Sequence, residues 1–218
     1  MICVSVGKTS FSACLRLLRT VDCAEIRLDL NSFSAVEIRK IFSRPKTLIA
    51  ACRPGRLSNP IRRERLAEAV SAGASYVDVD GRESPGFRDY IKAEARRAGC
   101  RLIFSYHDFR GTPSRSLMER VIDRYVRAGA DVVKIACLAR TPSDCARLVS
   151  LYDRKDERGK SLLAFAMGPA GSWTRVAATL LGAPFTFAAA GKGRETAPGQ
   201  LDRKSMKAVE LLLQGRTS

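Results

Sequence analysis

The chain has 218 residues, 45% hydrophobic and 28% charged, and its 38 Lys and Arg against 22 Asp and Glu leave a formal net charge of +16. That composition excludes bulk disorder, and the length is enough to enclose a substantial core as one domain or at most two small ones. No apolar run approaches the ~20 residues of a membrane helix, and the opening MICVSVGKTS lacks the charge-then-apolar layout of a signal peptide, so a soluble, cytoplasmic protein without a membrane partner is expected.

Taken in chain order, short β-rich runs alternate with stretches of helical period. Strands are predicted at residues 2–6, 24–29, 47–51, 76–80, 101–106, 131–136, 162–167 and 185–188. Helices are predicted at 10–20, 35–42, 62–72, 86–98, 114–128, 142–153, 172–181 and 203–213. In the third, RRERLAEAVSAGA, charged residues lead and a glycine stands near the end; in SRSLMERVIDRYVRAGA, Leu117, Val121, Tyr125 and Val126 recur at helical spacing. Strict alternation implies a parallel sheet, either an open doubly wound one or a closed (β/α)8 barrel. The count favours the barrel, and 218 residues lies near the lower end of its size range. No Pro/Gly/Ser linker interrupts the alternation, so residues 1–218 are expected to form a single catalytic domain of the (β/α)8 class.

The basic excess raises nucleic acid as a partner, but its distribution argues otherwise. Cut at residues 50, 100 and 150, the chain carries 8, 10, 9 and 11 basic residues per segment, with no basic tail. An anionic small molecule is favoured instead. The seven cysteines, odd in number and without a C-x-x-C, sit mostly in apolar stretches and read as reduced core residues. With His107 the single histidine, neither a metal site nor a cofactor is expected.

The strands carry an unusual load. Side chains alternate between strand faces, and in a barrel one face points inward. In AEIRLDL, Ile26, Leu28 and Leu30 must meet the helices, which turns Glu25, Arg27 and Asp29 inward. YVDVD likewise turns Asp78 and Asp80 inward, while Ser105 and His107 share a parity, as do Val132, Lys134 and Ala136, and as do Ile49, Ala51 and Arg53. Five strands thus aim charged groups into a space that packing alone would fill with Val, Ile and Leu.

Lys134 is the most telling of them, set mid-strand in VVKIA. Desolvation and neighbouring cations favour the neutral amine, a nucleophile toward ketones; a structural ion pair with an inward carboxylate is the competing reading. His107, in SYHDF at the end of its strand, suits acid/base work near neutral pH. Other apparent motifs fail: VGKT has Ile2 where a phosphate-binding loop needs glycine, and GKG at 191–193 is followed by Thr196 where a dinucleotide fingerprint needs its third glycine. The segment GKGRETAPGQ reads as a flexible loop able to fold over a ligand.

Taken in order, EIRLDL, ACRP, SYHDF, VKIA and TAPGQ resemble the E-x-R-x-D segment, strand-three arginine, histidine segment, lysine strand and closing loop of type I 3-dehydroquinate dehydratase, a lyase of the shikimate pathway of chorismate and aromatic amino acid biosynthesis. The resemblance implies syn elimination of water from 3-dehydroquinate, giving 3-dehydroshikimate, through a Schiff base on Lys134. It implies His107 as the acid/base and Asp80 as its orienting partner. Arg175, in SWTRVAA, would take the substrate carboxylate; Glu25, Arg27 and Arg53 would bind ring hydroxyls and shape the charge around the lysine; Ser5, Thr196 and Gln200 would add contacts; and Met167 would pack on the ring. Asp80 stands where the family usually has glutamate, one methylene longer, which implies a looser or water-mediated contact with His107. Thr196 replaces a serine common in relatives. The chain is expected to start directly at its first strand, without the N-terminal segment that covers the barrel bottom in some relatives, and a homodimer is one assembly open to it. Two other readings stay open on the residues alone: another Schiff-base barrel of the class I aldolase type, using the same lysine, and a basic non-enzymatic binding protein, which leaves the inward charges unexplained.

Overall fold

A strand that is apolar on one face and charged on the other can be buried only if helices cover the first face and a closed interior holds the second. The structure, a computed structural model, describes residues 1–154 and 159–213. Its strands are β1 (Ile2–Val6), β2 (Cys23–Arg27), β3 (Thr47–Ala51), β4 (Tyr76–Asp80), β5 (Arg101–Asp108), β6 (Val132–Leu138), β7 (Ser161–Met167) and β8 (Thr186–Ala189). The helices that follow them in turn are α1 (Phe11–Leu18), α2 (Ala35–Phe42), α3 (Asn59–Ser71), α4 (Pro85–Arg97), α5 (Arg115–Arg127), α6 (Pro142–Val149), α7 (Ser172–Leu180) and α8 (Arg203–Leu213). All pairings are parallel, in the order β7-β6-β5-β4-β3-β2-β1-β8. The result is a nearly closed (β/α)8 barrel, as the alternation predicts. Among the described residues no ladder joins β7 to β8; the rings of Phe165 and Phe187 meet across that seam, 6.2 Å apart.

Boundaries shift where tertiary pairing overrides local pattern. β5 and β6 run on past residues 106 and 136 because His107 pairs with Ala136 and Asp108 with Cys137 in continuous register. β2 stops at Arg27, so Asp29 lies in a turn, not on the strand. The helix predicted to reach residue 153 ends at Val149 and tightens into a 3-10 turn, Ser150–Asp153. Helix starts follow capping chemistry: Ser34 with Glu37, and Thr141 with Asp144, form reciprocal capping boxes.

Two apolar layers result. Ile26, Leu28, Leu48, Val77, Val79, Phe104, Val133 and Ile135 pack outward against the helices. Inside the barrel, Cys3, Cys23, Ile49, Tyr76, Ile103 and Val132, at the strands' N-terminal ends, plug the bottom. The next inward positions on the same strands are Ser5, Glu25, Ala51, Asp78, Ser105 and Lys134, so the interior turns polar toward its C-terminal mouth.

One buried arginine ties the rim to a helix. Arg62 of α3 donates through Nε and a terminal nitrogen to the Cys52 carbonyl, at 3.1 and 2.9 Å, pairs with Glu83 in the loop after β4, and lies 4.6 Å over the Phe87 ring. It thereby fixes the backbone next to Arg53 and the loop that follows Asp80. Replacing it leaves the half-buried Glu83 carboxylate and the Cys52 carbonyl without their Arg62 donor. Arg62→Met should therefore lower the unfolding free energy by about 3–5 kcal/mol, read as a lower urea midpoint at unchanged slope.

Candidate active site

The mouth of the barrel holds a cavity of about 300 Å³. Lys134, His107, Asp80, Ser5, Glu25, Arg27, Arg53, Met167, Arg175, Thr196 and Gln200 all line it. The structure thus brings together every site residue expected from the sequence. It adds Pro54, Arg82, Phe109, Ala136, Phe165, Phe187 and Ala197 to the walls.

Lys134 comes up from β6, paired in register with Ser105 of β5 and Leu163 of β7, with 6% of its side chain exposed. Its Nζ donates to Asp78 Oδ2 at 3.0 Å, stands 3.9 Å from Glu25 Oε1 and sits 4.2 Å above the Phe187 ring. The ion pair that competes with the nucleophile reading is therefore present, its lysine lining the cavity with the other expected groups and its aspartate beneath. Asp78 is shared: Arg53 bonds its Oδ2, and the Ser105 hydroxyl, which accepts from Arg53 at 2.8 Å, donates to its Oδ1 at 2.6 Å. Burial alone would raise this carboxyl, but the charges of Arg53 and Lys134 hold it well below the usual carboxylate range. Glu25 accepts from the Ser5 hydroxyl at 2.8 Å.

His107 ends the inward row of β5. Burial, then the charge of Arg53, pulls its imidazole down to about 4, against the opposing contact with Asp80. At neutral pH the ring is uncharged and able to take a proton. Its Nδ1 stands 3.7 Å from Asp80 Oδ2, longer than a hydrogen bond. The contact is thus looser than a direct hydrogen bond, in line with what the resemblance implies for an aspartate at this place. Asp80 is held instead by Arg82, whose backbone N–H, Nε and terminal nitrogen donate to it at 2.9, 3.1 and 3.1 Å. Burial would raise the Asp80 carboxyl, but the contacts from His107 and Arg82 bring it far below the ordinary range. Phe109 stacks on the imidazole, its ring 6.1 Å away and tilted by 9°.

Arg175 reaches in from α7, 1% exposed. It donates to the Pro198 carbonyl at 3.3 Å and lies 4.4 Å over the Phe165 ring, while its buried Nε has no partner among the described residues. Burial pushes this guanidinium down to about 10. Such a group awaits an anion, since leaving it unpaired costs free energy that a bound carboxylate would offset. The loop after β8 closes over the mouth. Gln200 Oε1 accepts from the backbone of Thr196 and Ala197 at 2.8 and 3.3 Å and from the Thr196 hydroxyl at 3.3 Å, and its Nε2 donates to Ser5 Oγ at 3.3 Å. Gly199 is required there: its φ is +72°, and a Cβ would lie 2.3 Å from the Gly168 carbonyl oxygen. Arg27 donates to the Thr196 carbonyl at 3.4 Å and forks onto Asp29 at 3.0 and 2.6 Å.

A family model described as type I 3-dehydroquinase matches residues 2–216. The 3-dehydroquinate dehydratase of Desulfotalea psychrophila is 33% identical over 218 residues, covering 95% of this chain and 96% of that one. Its counterpart in Pyrococcus abyssi is 32% identical over 203 residues, 89% of each chain. Among solved structures, the 3-dehydroquinate dehydratase from Aquifex aeolicus superposes with a TM-score of 0.81 at 27% identity, covering 97% of this chain and 98% of that one.

Because the chain has one histidine, its imidazole gives a single signal in an NMR titration. That signal should titrate at about 4, and Arg53→Gln should raise the midpoint by removing a cation, whereas Asp80→Asn should lower it further. An unfolded chain takes up this proton near pH ~6.5. As pH falls the unfolded state is therefore protonated first, and stability should decline between about 6.5 and about 4 by a share that His107→Gln abolishes.

Proposed function

The chain belongs to the type I 3-dehydroquinase family, hydro-lyases that work through a lysine Schiff base, and from that premise we propose that this cavity dehydrates 3-dehydroquinate to 3-dehydroshikimate on Lys134. The observation that carries the assignment is the convergence on one cavity of an uncharged His107, the buried Lys134 amine and an Arg175 guanidinium with no carboxylate partner among the described residues.

In this reading the Lys134 nitrogen attacks the ketone carbon, and the carbonyl oxygen leaves as water. The iminium left behind draws electrons from the adjacent carbon, so its C–H becomes acidic and His107 takes the proton. The electron pair passes to nitrogen as an enamine. Its return expels the C1 hydroxyl, which leaves as water with the proton from His107, and water then frees the product from the lysine. Asp80 orients the imidazole and stabilises its cationic form, through a bridging water or a small approach from 3.7 Å. Arg175 holds the substrate carboxylate, Glu25, Arg27 and Arg53 the ring hydroxyls, and Ser5, Thr196 and Gln200 the remaining polar edge, while Met167 packs on the ring. The proposal extends to one catalytic domain working in the cytoplasm, supported by seven buried, unbridged cysteines. It also extends to a homodimer, supported by the exposed Leu180, Leu181, Leu212 and Leu213 at the ends of α7 and α8.

Borohydride added with 3-dehydroquinate should leave a stable adduct that peptide mass mapping places on Lys134. An adduct elsewhere, with Lys134→Ala still active, would sink the assignment. His107→Ala should lower turnover ~10²–10⁴-fold while Lys134 still accepts the ketone. Arg175→Met, which loses a charged bidentate contact, should raise KM roughly 10–100-fold, measured by the ultraviolet absorbance of 3-dehydroshikimate.

A further inference from the structure

The reaction above uses Lys134 and His107 but leaves unexplained why a second aspartate is sealed beneath them. Asp78 has a fully buried side chain and does not line the cavity, yet its Oδ2 is the hydrogen-bond acceptor of Lys134 Nζ at 3.0 Å. Glu25, the other nearby carboxylate, stands farther off at 3.9 Å and is bonded to Ser5. Arg53 shares that Oδ2, and the Ser105 hydroxyl donates to Oδ1. A carboxylate held by two cations and a hydroxyl makes a poor proton acceptor, so Asp78 does not serve as the base. It acts through its charge and its direction.

We propose that Asp78 is the counter-ion of the iminium on Lys134, fixing the plane of the C=N bond and keeping its nitrogen protonated. This rests on Lys134 as the imine-forming residue. When the amine nitrogen bonds the ketone carbon and the oxygen leaves as water, two of the three ammonium protons are gone and one N–H remains. Asp78 Oδ2 is already the acceptor for that nitrogen. Pointing the remaining N–H at Asp78 leaves the substrate carbon only the other in-plane direction, toward the cavity mouth. The same anion favours the protonated imine over the neutral one, and only the protonated form withdraws electrons strongly enough to acidify the neighbouring carbon. Arg53 tempers the effect by sharing the carboxylate, so that the electron pair can still pass to nitrogen when His107 takes the proton. Glu25 and Arg27 from β2, Arg53 just past β3, Asp80 from β4 with Arg82 after it, His107 from β5 and Arg175 from α7 are the other charged or titratable groups lining this cavity, with the Cys3 thiol of β1 below it, kept protonated by burial.

The test is the pH dependence of kcat for wild type, Asp78→Asn and Asp78→Glu, with folding checked by circular dichroism and Lys134 adducts mapped after borohydride. Loss of the charge should move the alkaline limb of the Asp78→Asn profile to lower pH by about 1–3 units, with activity recovering as pH is lowered. Asp78→Glu, which keeps the charge, should hold the limb in place. A uniform drop in kcat with no movement of the limb would make Asp78 a packing residue and overturn the proposal, as would a superimposable profile. If the asparagine variant does not fold, the glutamate variant decides, since a limb that moves down although the charge is kept also overturns it. Absence of any Lys134 adduct in wild type would instead defeat the reading of the site itself.

Discussion

A layer of charge buried inside a barrel is the constraint on which the rest of this structure depends. Taking a charged group out of water costs several kcal/mol even after relaxation, a cost that a partner at short range offsets. Arg53 and Lys134 meet on Asp78, Arg27 forks onto Asp29, and Arg62 closes on Glu83. The first of these spans strands, joining Asp78 of β4 to Lys134 of β6 and to Arg53 just past β3, and it holds only in one register. A slip of one residue would turn Lys134 into the helix layer and send Val133 and Ile135 into the cavity. Ser105 is the pivot, aligned with Asp80 on one side and Lys134 on the other.

Burial first, and then the charge layer, keeps the imidazole neutral. His107 shares its enclosure with Arg53 and Lys134, and both repel a proton from it. Below lies an apolar plug that includes Ile49, Tyr76, Ile103 and Val132, which offers no screening from that side. The chain's basic surplus thus has a local counterpart in the cavity, where Arg175 Nε has no partner among the described residues.

Much of this was legible in the sequence because strand alternation has a strict period of two. Parity alone turned Glu25, Arg27, Asp78, Asp80, His107 and Lys134 inward, and all of them are buried or line the cavity. Parity gives the face of a strand, however, and not the height along it. Asp78 and Asp80 look alike in YVDVD, yet one lies beneath the cavity on Lys134 and the other at its rim beside His107. The Arg82 fork on Asp80 depends on a loop turn, and the stacking of Phe109 on His107 on the chain's path after β5; neither leaves a periodic trace. Arg175 sits on a helix, where an arginine is ordinarily solvated, and only the family resemblance singled it out.

The closing loop carries a kinetic consequence. Its internal knot gathers three donors on Gln200 Oε1, the shortest being the Thr196 N–H at 2.8 Å. The tethers that fasten it across the mouth are longer: Gln200 to Ser5 and Gly168 to Pro198 at 3.3 Å, Arg175 to Pro198 at 3.3 Å, and Arg27 to Thr196 at 3.4 Å. All four lie beyond the ~2.9–3.0 Å at which such bonds are strongest. Each is a weak contact taken singly, so the loop is joined to the mouth by several bonds that part at low individual cost. Parting them opens the mouth without unmaking the Gln200 contacts inside the loop, which spares the entropic cost of reordering that segment.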